Sequence, residues 1–433
     1  MTAVVKPAQI VAVKGFRDVL PDESARWRLI EAEAFEIFSR YSFEEIRLPM
    51  AEKTELFARS IGTETDIVEK EMYTFTDRGG TSITLRPEAT ASVVRAAIEH
   101  GLITADRERR LFYCGPMFRR ERPQKGRFRQ FYQIGAEVLG RDDPVVDAEI
   151  IILLRDLLDR VAARGVRFEL NSLGDGRCRP TYREHLRSFA AARRERLCAN
   201  CQRRLERNTL RILDCKEPQC REEMAGAPVV VDHLCVPCAD HLASVRRLLD
   251  GAGVSVDLNP RIVRGLDYYC RTAFEITAEG LGSQNAIGGG GRYDELVAAL
   301  GGPPVAGIGF AIGLERLAMV TEAPTAELPR TAVFIAPLGD EAWATGLAVA
   351  TELRAAGRRV ELAAGRRSLR ALMRQADRTG ARHVLIIGVD ELTSGRGTVR
   401  DMERKADHPL SVDLGATGGE LAAQITRLGG TAT

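Results

Sequence analysis

Apolar residues recur every three or four positions through residues 22–40, the period of a helix with one face toward a core. The same period returns in "TASVVRAAIEHG", which ends on a glycine stop, and in "DDPVVDAEIIILLRDLLDRVAARG". Between those two helices the period falls to two. "TSITLRPEA" reads as a strand, and "YCGPMFRRERPQKGRFRQFYQIGAEVLG" as a strand, a turn and a second strand. Arg119 and Glu121 share a face at the end of the first strand. In the second, Arg127, Arg129, Phe131, Gln133, Gly135 and Glu137 share one face, and Phe128, Gln130, Tyr132, Ile134, Ala136 and Val138 the other. One side of the hairpin is therefore mostly apolar. The other carries a line of charge that ends in a carboxylate. A solvated edge hairpin is the plainest account of that stretch alone.

Residues 167–250 change character, becoming rich in arginine and cysteine, and motifs with chemistry in them return at 259–318. "TEAPTAELPR", 321–330, reads as a linker. After it, strand and helix alternate: "TAVFIAPLG", "DEAWATGLAVATELRAAG", "RRVELAA", "SLRALMRQADRTG" and "ARHVLIIGV". That alternation predicts a compact α/β domain with a partly parallel sheet.

At 433 residues the chain has room for two or three domains. A formal net charge of +2 excludes a global electrostatic grip on nucleic acid, so any such contact must come from local patches. Only seven of the 62 basic residues are lysine, so arginine by itself says little. The N-terminal "MTAVVKPAQIVAVKG" has no leader pattern, and no stretch reaches membrane-spanning length. Nine cysteines, an odd number, do not suit a secreted disulfide scaffold. A cytoplasmic enzyme is expected.

Further segments offer matching polar faces. In "SITLRPEAT" they are Ser82, Thr84, Arg86 and Glu88; in "RIVRGLDYYCRTAFEIT", Arg264 lies close to Tyr268 and Tyr269, with Arg271 and Glu275 following. "NAIGGGGRYDELV" lets backbone approach a ligand closely but lacks the ending of a phosphate-binding P-loop. "GIGFAIGLERL" joins a glycine-spaced strand to a helix with Arg316 near its start, and its glycine spacing is not a dinucleotide fingerprint. Arginines on a sheet floor suit a polyphosphate; interleaved carboxylates suit magnesium or an ammonium group. None of the six histidines lies in these segments, which disfavours a histidine general base.

Together these segments resemble the histidyl-tRNA synthetase family of class II aminoacyl-tRNA synthetases. "FRRERPQKGRFRQFYQIGAEVLG" and "GIGFAIGLERL" are similar to the second and third motifs of the class. "RGLDYYCRTAFEI" and "GGGGRYDELV" are similar to the two peptides peculiar to the histidine enzyme, and "KGFRDVLPDE" and "TLRPEAT" also match. The resemblance implies an α+β fold. Residues 1–325 would form the class II catalytic domain, an antiparallel sheet with flanking helices and an insertion over about 170–250; residues 331–427 would form a C-terminal α/β anticodon-binding domain. It implies that Glu88, Thr90, Gln133, Glu137, Arg264, Tyr268 and Tyr269 bind histidine, with Glu137 and Tyr269 on the imidazole. It implies that Arg119, Glu121, Arg127, Phe131 and Arg316 bind ATP, and that Arg119 and Arg264 act on the α-phosphate. Implied with these are Mg2+, tRNA(His) as partner and a homodimer. Two positions depart from the family's pattern: Ala89 stands where glycine is usual, and Cys270-Arg271 where a small polar residue and glycine are common.

The insertion contains Cys198/Cys201 and Cys235/Cys238, two Cys-x-x-Cys pairs with the spacing of zinc ligands, with Cys215, Cys220, His233 and His241 nearby. A structural Zn2+ on the two pairs is the expectation, against a set of reduced, half-buried thiols. Two rival functions stand beside this one. One is the non-catalytic regulatory subunit of ATP phosphoribosyltransferase, which typically lacks the C-terminal domain. The other is a synthetase for a different amino acid, against which the Glu137–tyrosine pair argues, because an imidazole needs partners for two nitrogens.

Overall fold

The computed structural model describes residues 9–62, 65, 67–104, 107–122, 126–264, 266–281, 285–322, 332–402 and 410–429. The tip of the basic turn, 123–125, and most of the expected linker, 323–331, lie outside them. The chain divides into two compact units, Met1–Ala323 and Pro324–Thr433.

The strands of the first unit are β1 (Glu44–Glu45), β2 (Ala51–Lys53), β3 (Tyr73–Thr76), β4 (Ser82–Leu85), β5 (Arg109–Phe118), β6 (Gln130–Leu139), β7 (Val166–Ser172), β8 (Asp257–Leu258), β9 (Cys270–Ala278), β10 (Ala286–Arg292) and β11 (Gly307–Gly313). Eight form one sheet in the order β1-β5-β6-β11-β10-β9-β7-β8. All pairings from β5 to β7 are antiparallel, as expected. The two-residue strands β1 and β8 extend the edges in parallel, a detail the sequence pattern did not predict. A separate sheet, β2-β4-β3, stands beside it.

The apolar parity of β6 determines which way the large sheet faces. Ile134, Ala136 and Val138 are fully buried against the helices Pro21–Arg40 and Pro144–Arg160. Phe38 of the first helix stacks on Phe112 of β5 with centroids 4.6 Å apart. The second helix starts where Asp143 accepts a hydrogen bond from the Val145 amide at 3.1 Å, with proline at the first helical position. Its Leu153, Leu154 and Leu157 are 0% exposed, each worth roughly 1.5–3 kcal/mol of burial. With that face sealed, the opposite parity is left for the site.

Between β7 and β8 the chain makes its excursion. The helices Arg179–Ala191, Ala199–Arg207 and Pro218–Glu223 enclose a small core of Tyr182, Leu186, Leu205, Ile212 and Met224. The returning helix, Val236–Gly251, instead buries Leu242, Val245 and Leu249 in the main core.

The second unit has β12 (Val333–Pro337), β13 (Val360–Leu362), β14 (His383–Ile387), β15 (Arg396–Asp401) and β16 (Leu410–Asp413), ordered β13-β12-β14-β15-β16. The first three are parallel; β15 and β16 are antiparallel. Val333 and Ile335 pack on one side and Phe334 and Ala336 on the other, which is why β12 reads as an unbroken apolar run.

Candidate active site

Strand parity brings the polar side chains together. Gln133 of β6 lies opposite Gly115 of β5 and Gly313 of β11, and Glu137 opposite Leu111 and Gly309. Above this floor is a cleft lined by Glu88, Thr90, Arg119, Glu121, Arg127, Phe131, Gln133, Arg264, Tyr268, Tyr269 and Arg316. Eleven of the twelve residues expected to bind histidine or ATP thus share one wall.

The twelfth, Glu137, is 0% exposed and sits behind that wall. Its Oε1 accepts from Thr90 Oγ1 at 2.6 Å and its Oε2 from the Tyr293 hydroxyl. Burial pushes the carboxyl up to about 8, against the opposing effect of those two hydrogen bonds. A side chain at position 309 would have its Cβ on Glu137 Oε2, so only glycine fits there. Tyr113, Gln133 and Tyr268 surround the pocket, and Tyr113 Oη, Gln133 Oε1 and Tyr268 Oη are buried without a hydrogen-bond partner among the described residues. Unmatched polar atoms aimed into one cavity suit a polar ligand.

Glu88 does not continue the strand face expected for it. β4 ends at Leu85, and Glu88 caps the helix Thr90–Glu99, accepting from the Thr90 amide at 2.6 Å and the Ala91 amide at 3.0 Å. Burial raises its pKa and the two amides oppose the rise. Ser82 and Thr84 turn instead to the Thr54 hydroxyl, at 2.7 and 2.9 Å. Arg86 lies under Gly115 and donates to the Pro116 and Leu48 carbonyls at 2.9 and 3.1 Å, so it braces the hairpin and stays out of the cleft.

The other end of the cleft is basic. Arg119 donates to the Pro87 carbonyl at 2.8 Å, and its guanidinium stands 5.3 Å from the centre of the Phe131 ring. Arg127 pairs with Glu121 at 2.8 Å. Arg316, in the helix Leu314–Val320, has its pKa lowered by burial and then by Arg127. Arg264 lies 3.8 Å from Glu275 and 5.2 Å from the Tyr269 ring centre. A Cβ on Gly289 would come within 2.8 Å of its guanidinium, so the glycine run of β10 is the bed on which Arg264 rests. Four guanidinium groups face two carboxylates here, leaving an excess of positive charge fit for phosphates.

Residues 15–317 match the family model described as Histidyl-tRNA synthetase. The chain belongs to the histidyl-tRNA synthetase family. Residues 332–416 of this synthetase match the model described as Anticodon binding domain. The chain is 49% identical over 422 residues to the histidine–tRNA ligase of Trichlorobacter lovleyi, covering 98% of this chain and 100% of that one. To the histidine–tRNA ligase of Syntrophotalea carbinolica it is 49% identical over 404 residues, covering 93% and 96%. The apo histidyl-tRNA synthetase of S. aureus superposes with a TM-score of 0.79 at 34% identity, covering 96% of this chain and all of that one. A structure titled ATP phosphoribosyltransferase regulatory subunit/histidyl-tRNA synthetase from Bacillus halodurans C shares the fold, at TM-score 0.64 and 20% identity. With ligases as relatives at near-full length, the regulatory-subunit reading is set aside.

The cysteines of the synthetase's insertion fall out differently from the expected pairing. Cys198 and Cys201 do not meet Cys235 and Cys238. Cys198, Cys201, Cys215 and Cys220 form one cluster and Asp175, Cys178, Cys235 and Cys238 another, each with all ligand atoms within 4.8 Å of one another. Spacing identified the pairs, but the loops that close on them choose the partners. His241 is committed elsewhere, 2.7 Å from the buried Asp147.

Both departures from the family's pattern also have a place. Ala89 is fully buried and packs with Val93, Leu111, Tyr113 and Met117. Arg271 has φ 44°, where glycine is at ease, and it sits where the β9–β10 register slips between Gly291 and Arg292. Two residues of the site escaped sequence reasoning, Tyr113 and Tyr293. Tyr113 could have been found, since stepping back by twos from Arg119 passes through Gly115 to it.

Proposed function

We infer that the cleft is where this histidine–tRNA ligase joins histidine to ATP. The observation that carries the reading is the polarity of the cleft: a pocket of unpartnered tyrosine and glutamine atoms backed by buried Glu137 at one end, four arginines at the other. The imidazole would lie by Tyr269 and Glu137, which has spent two of its roughly four lone-pair sites on Thr90 and Tyr293. Glu88, Thr90, Gln133 and Tyr268 would hold the amino end. Phe131 would carry the adenine, with Glu121 beside it, and Arg127 and Arg316 the outer phosphates. Arg119 and Arg264 would meet the α-phosphate.

One carboxylate oxygen of histidine attacks the α-phosphorus, the bond to the bridging oxygen breaks, and pyrophosphate leaves. The terminal ribose hydroxyl of tRNA(His) then takes the histidyl group from the adenylate, releasing AMP. Fixed guanidinium charge at the α-phosphate stabilises the charge that builds in the first step. Glu121 and Glu275 are the carboxylates that would hold Mg2+, whose charge would screen the triphosphate. The second unit would read the anticodon, which its family match supports. A homodimer and a cytoplasmic location belong to the same proposal and rest on family membership. Among the described residues no helix is long and apolar enough to cross a membrane. Cys198, Cys201, Cys215 and Cys220, four thiols drawn together around the start of the helix Ala199–Arg207, would hold a structural zinc.

Exchange of labelled pyrophosphate into ATP, run with each of the twenty amino acids, tests the reading. Exchange with histidine alone is expected. Exchange with another amino acid, or with none from folded protein, would contradict it.

A further inference from the structure

We propose a second metal site, formed by Asp175, Cys178, Cys235 and Cys238, that pins the two ends of the insertion together beside the loop carrying Tyr269. Its four ligand atoms lie within 4.8 Å of one another. A tetrahedral ion with metal–sulfur bonds of about 2.3 Å sets ligand-to-ligand edges of roughly 3.8 Å. Cys178 Sγ and Cys235 Sγ stand 3.7 and 3.8 Å from Asp175 Oδ1. All of these cysteines are free, and Cys178 and Cys238 are buried. A disulfide within the set would use two of the three sulfurs and strand the third beside a carboxylate.

The backbone is built around the same point. Gly174 has φ 64°, and a Cβ there would come within 2.6 Å of Cys178 Sγ. The Asp175 amide points at that sulfur at 3.3 Å. Cys235 is the residue before the helix Val236–Gly251 and Cys238 lies in its first turn. The neighbouring cluster repeats the device, with Cys198 just before the helix Ala199–Arg207 and Cys201 in its first turn. Three thiolates and a carboxylate suit zinc, and four protein ligands leave no open position for catalysis.

The location gives the ion a task. Asp175 and Cys178 follow β7, where the chain leaves the sheet, and Cys235 and Cys238 begin the helix by which it returns. Leu173 donates to the Arg271 carbonyl at 2.7 Å and Arg271 to the Gly174 carbonyl at 2.8 Å. Arg179, next to Cys178, donates to the Tyr269 carbonyl. Losing the ion would loosen three contacts that hold the Tyr269–Arg271 segment. The coupling to histidine rests on the role proposed for Tyr269, whereas the metal site itself does not.

The test uses the full chain, expressed with added zinc and purified under reductant. Elemental analysis should give two zinc per chain, and X-ray absorption an average coordination between three and four sulfurs. The Cys235→Ser/Cys238→Ser variant should keep one zinc with four sulfurs. Its KM for histidine in pyrophosphate exchange should rise about 10-fold, with the KM for ATP little changed, as expected for a shell that supports a binding residue. One zinc per wild-type chain, or a disulfide among Cys178, Cys235 and Cys238, overturns the site, and both are read on wild-type protein if the variant fails to fold. Two zinc with an unmoved KM for histidine overturns the coupling. Wild type with two zinc and no exchange refutes the proposed function and leaves the site standing.

Discussion

Glu137 is a carboxyl that the fold keeps dry. Its pKa is raised to about 8 by burial, so between the ordinary value near 4.5 and about 8 the folded protein binds more protons than the unfolded chain. The stability it allows is therefore full at low pH and is lost as pH rises through that window. Urea midpoints of the ligand-free protein at pH 5.5 and 8.5 should show wild type losing more than Glu137→Gln, which cannot ionise; equal losses would contradict the assignment. Gly309→Ala, which sets a methyl on that carboxylate, should lower kcat/KM for histidine by well over 10-fold, about 1.4 kcal/mol or more, with KM for ATP close to wild type. At this scale the sequence showed where Glu137 points, because strand parity is local. It did not show the burial, because Thr90 and Tyr293 arrive from 47 and 156 positions away.

Elements are joined at points that local patterns do not mark. Asp147, on the helix Pro144–Arg160, is 0% exposed and bonds Arg292 of β10 at 2.8 Å and His241 of the helix Val236–Gly251 at 2.7 Å. The periodicity of that helix gave no reason for an acid on its buried face. Replacing it leaves the fully buried Arg292 guanidinium with Asp294, at 2.8 Å, as its remaining carboxylate partner, so Asp147→Asn should cost about 1–3 kcal/mol, measured by denaturant unfolding. The bulge at Arg271 makes the opposite case. A left-handed arginine is strained, so Arg271→Gly should stabilise the protein by roughly 0.5–1 kcal/mol in the same assay, even though it gives up long-range attraction to Asp175 and Asp294 at 3.9 and 3.8 Å. Here the sequence did give a signal, in the departure from a glycine pattern. The cysteine pairs illustrate the limit: spacing reveals a ligand pair, and the tertiary path of residues 175–178 and 215–220 decides its company.

Across the whole molecule, legibility followed the range of the contacts. The strand–helix alternation after residue 331 could be read directly, since each period is set within a few residues. The order of the eight-stranded sheet could not, since β6 pairs with β11 about half the first unit away; family resemblance implied only an antiparallel sheet with flanking helices. The short parallel edge strands carry no pattern at all. The division into two units leads to a prediction of its own. A chain ending at residue 322 keeps every side chain of the cleft. It should retain histidine-dependent pyrophosphate exchange within a few-fold, and its charging of tRNA(His) should fall at least 100-fold, about 2.7 kcal/mol. Charging at the wild-type rate would refute the role proposed for the second unit.

The most direct test of the account is histidine-dependent pyrophosphate exchange by Glu137→Gln beside wild type. At pH 7 the variant should lose about 10-fold in kcat/KM for histidine, roughly the 1–1.5 kcal/mol of a hydrogen bond to a carboxyl that stays protonated, with the KM for ATP unmoved. An unchanged kcat/KM, or a loss confined to ATP, would show that the imidazole lies elsewhere.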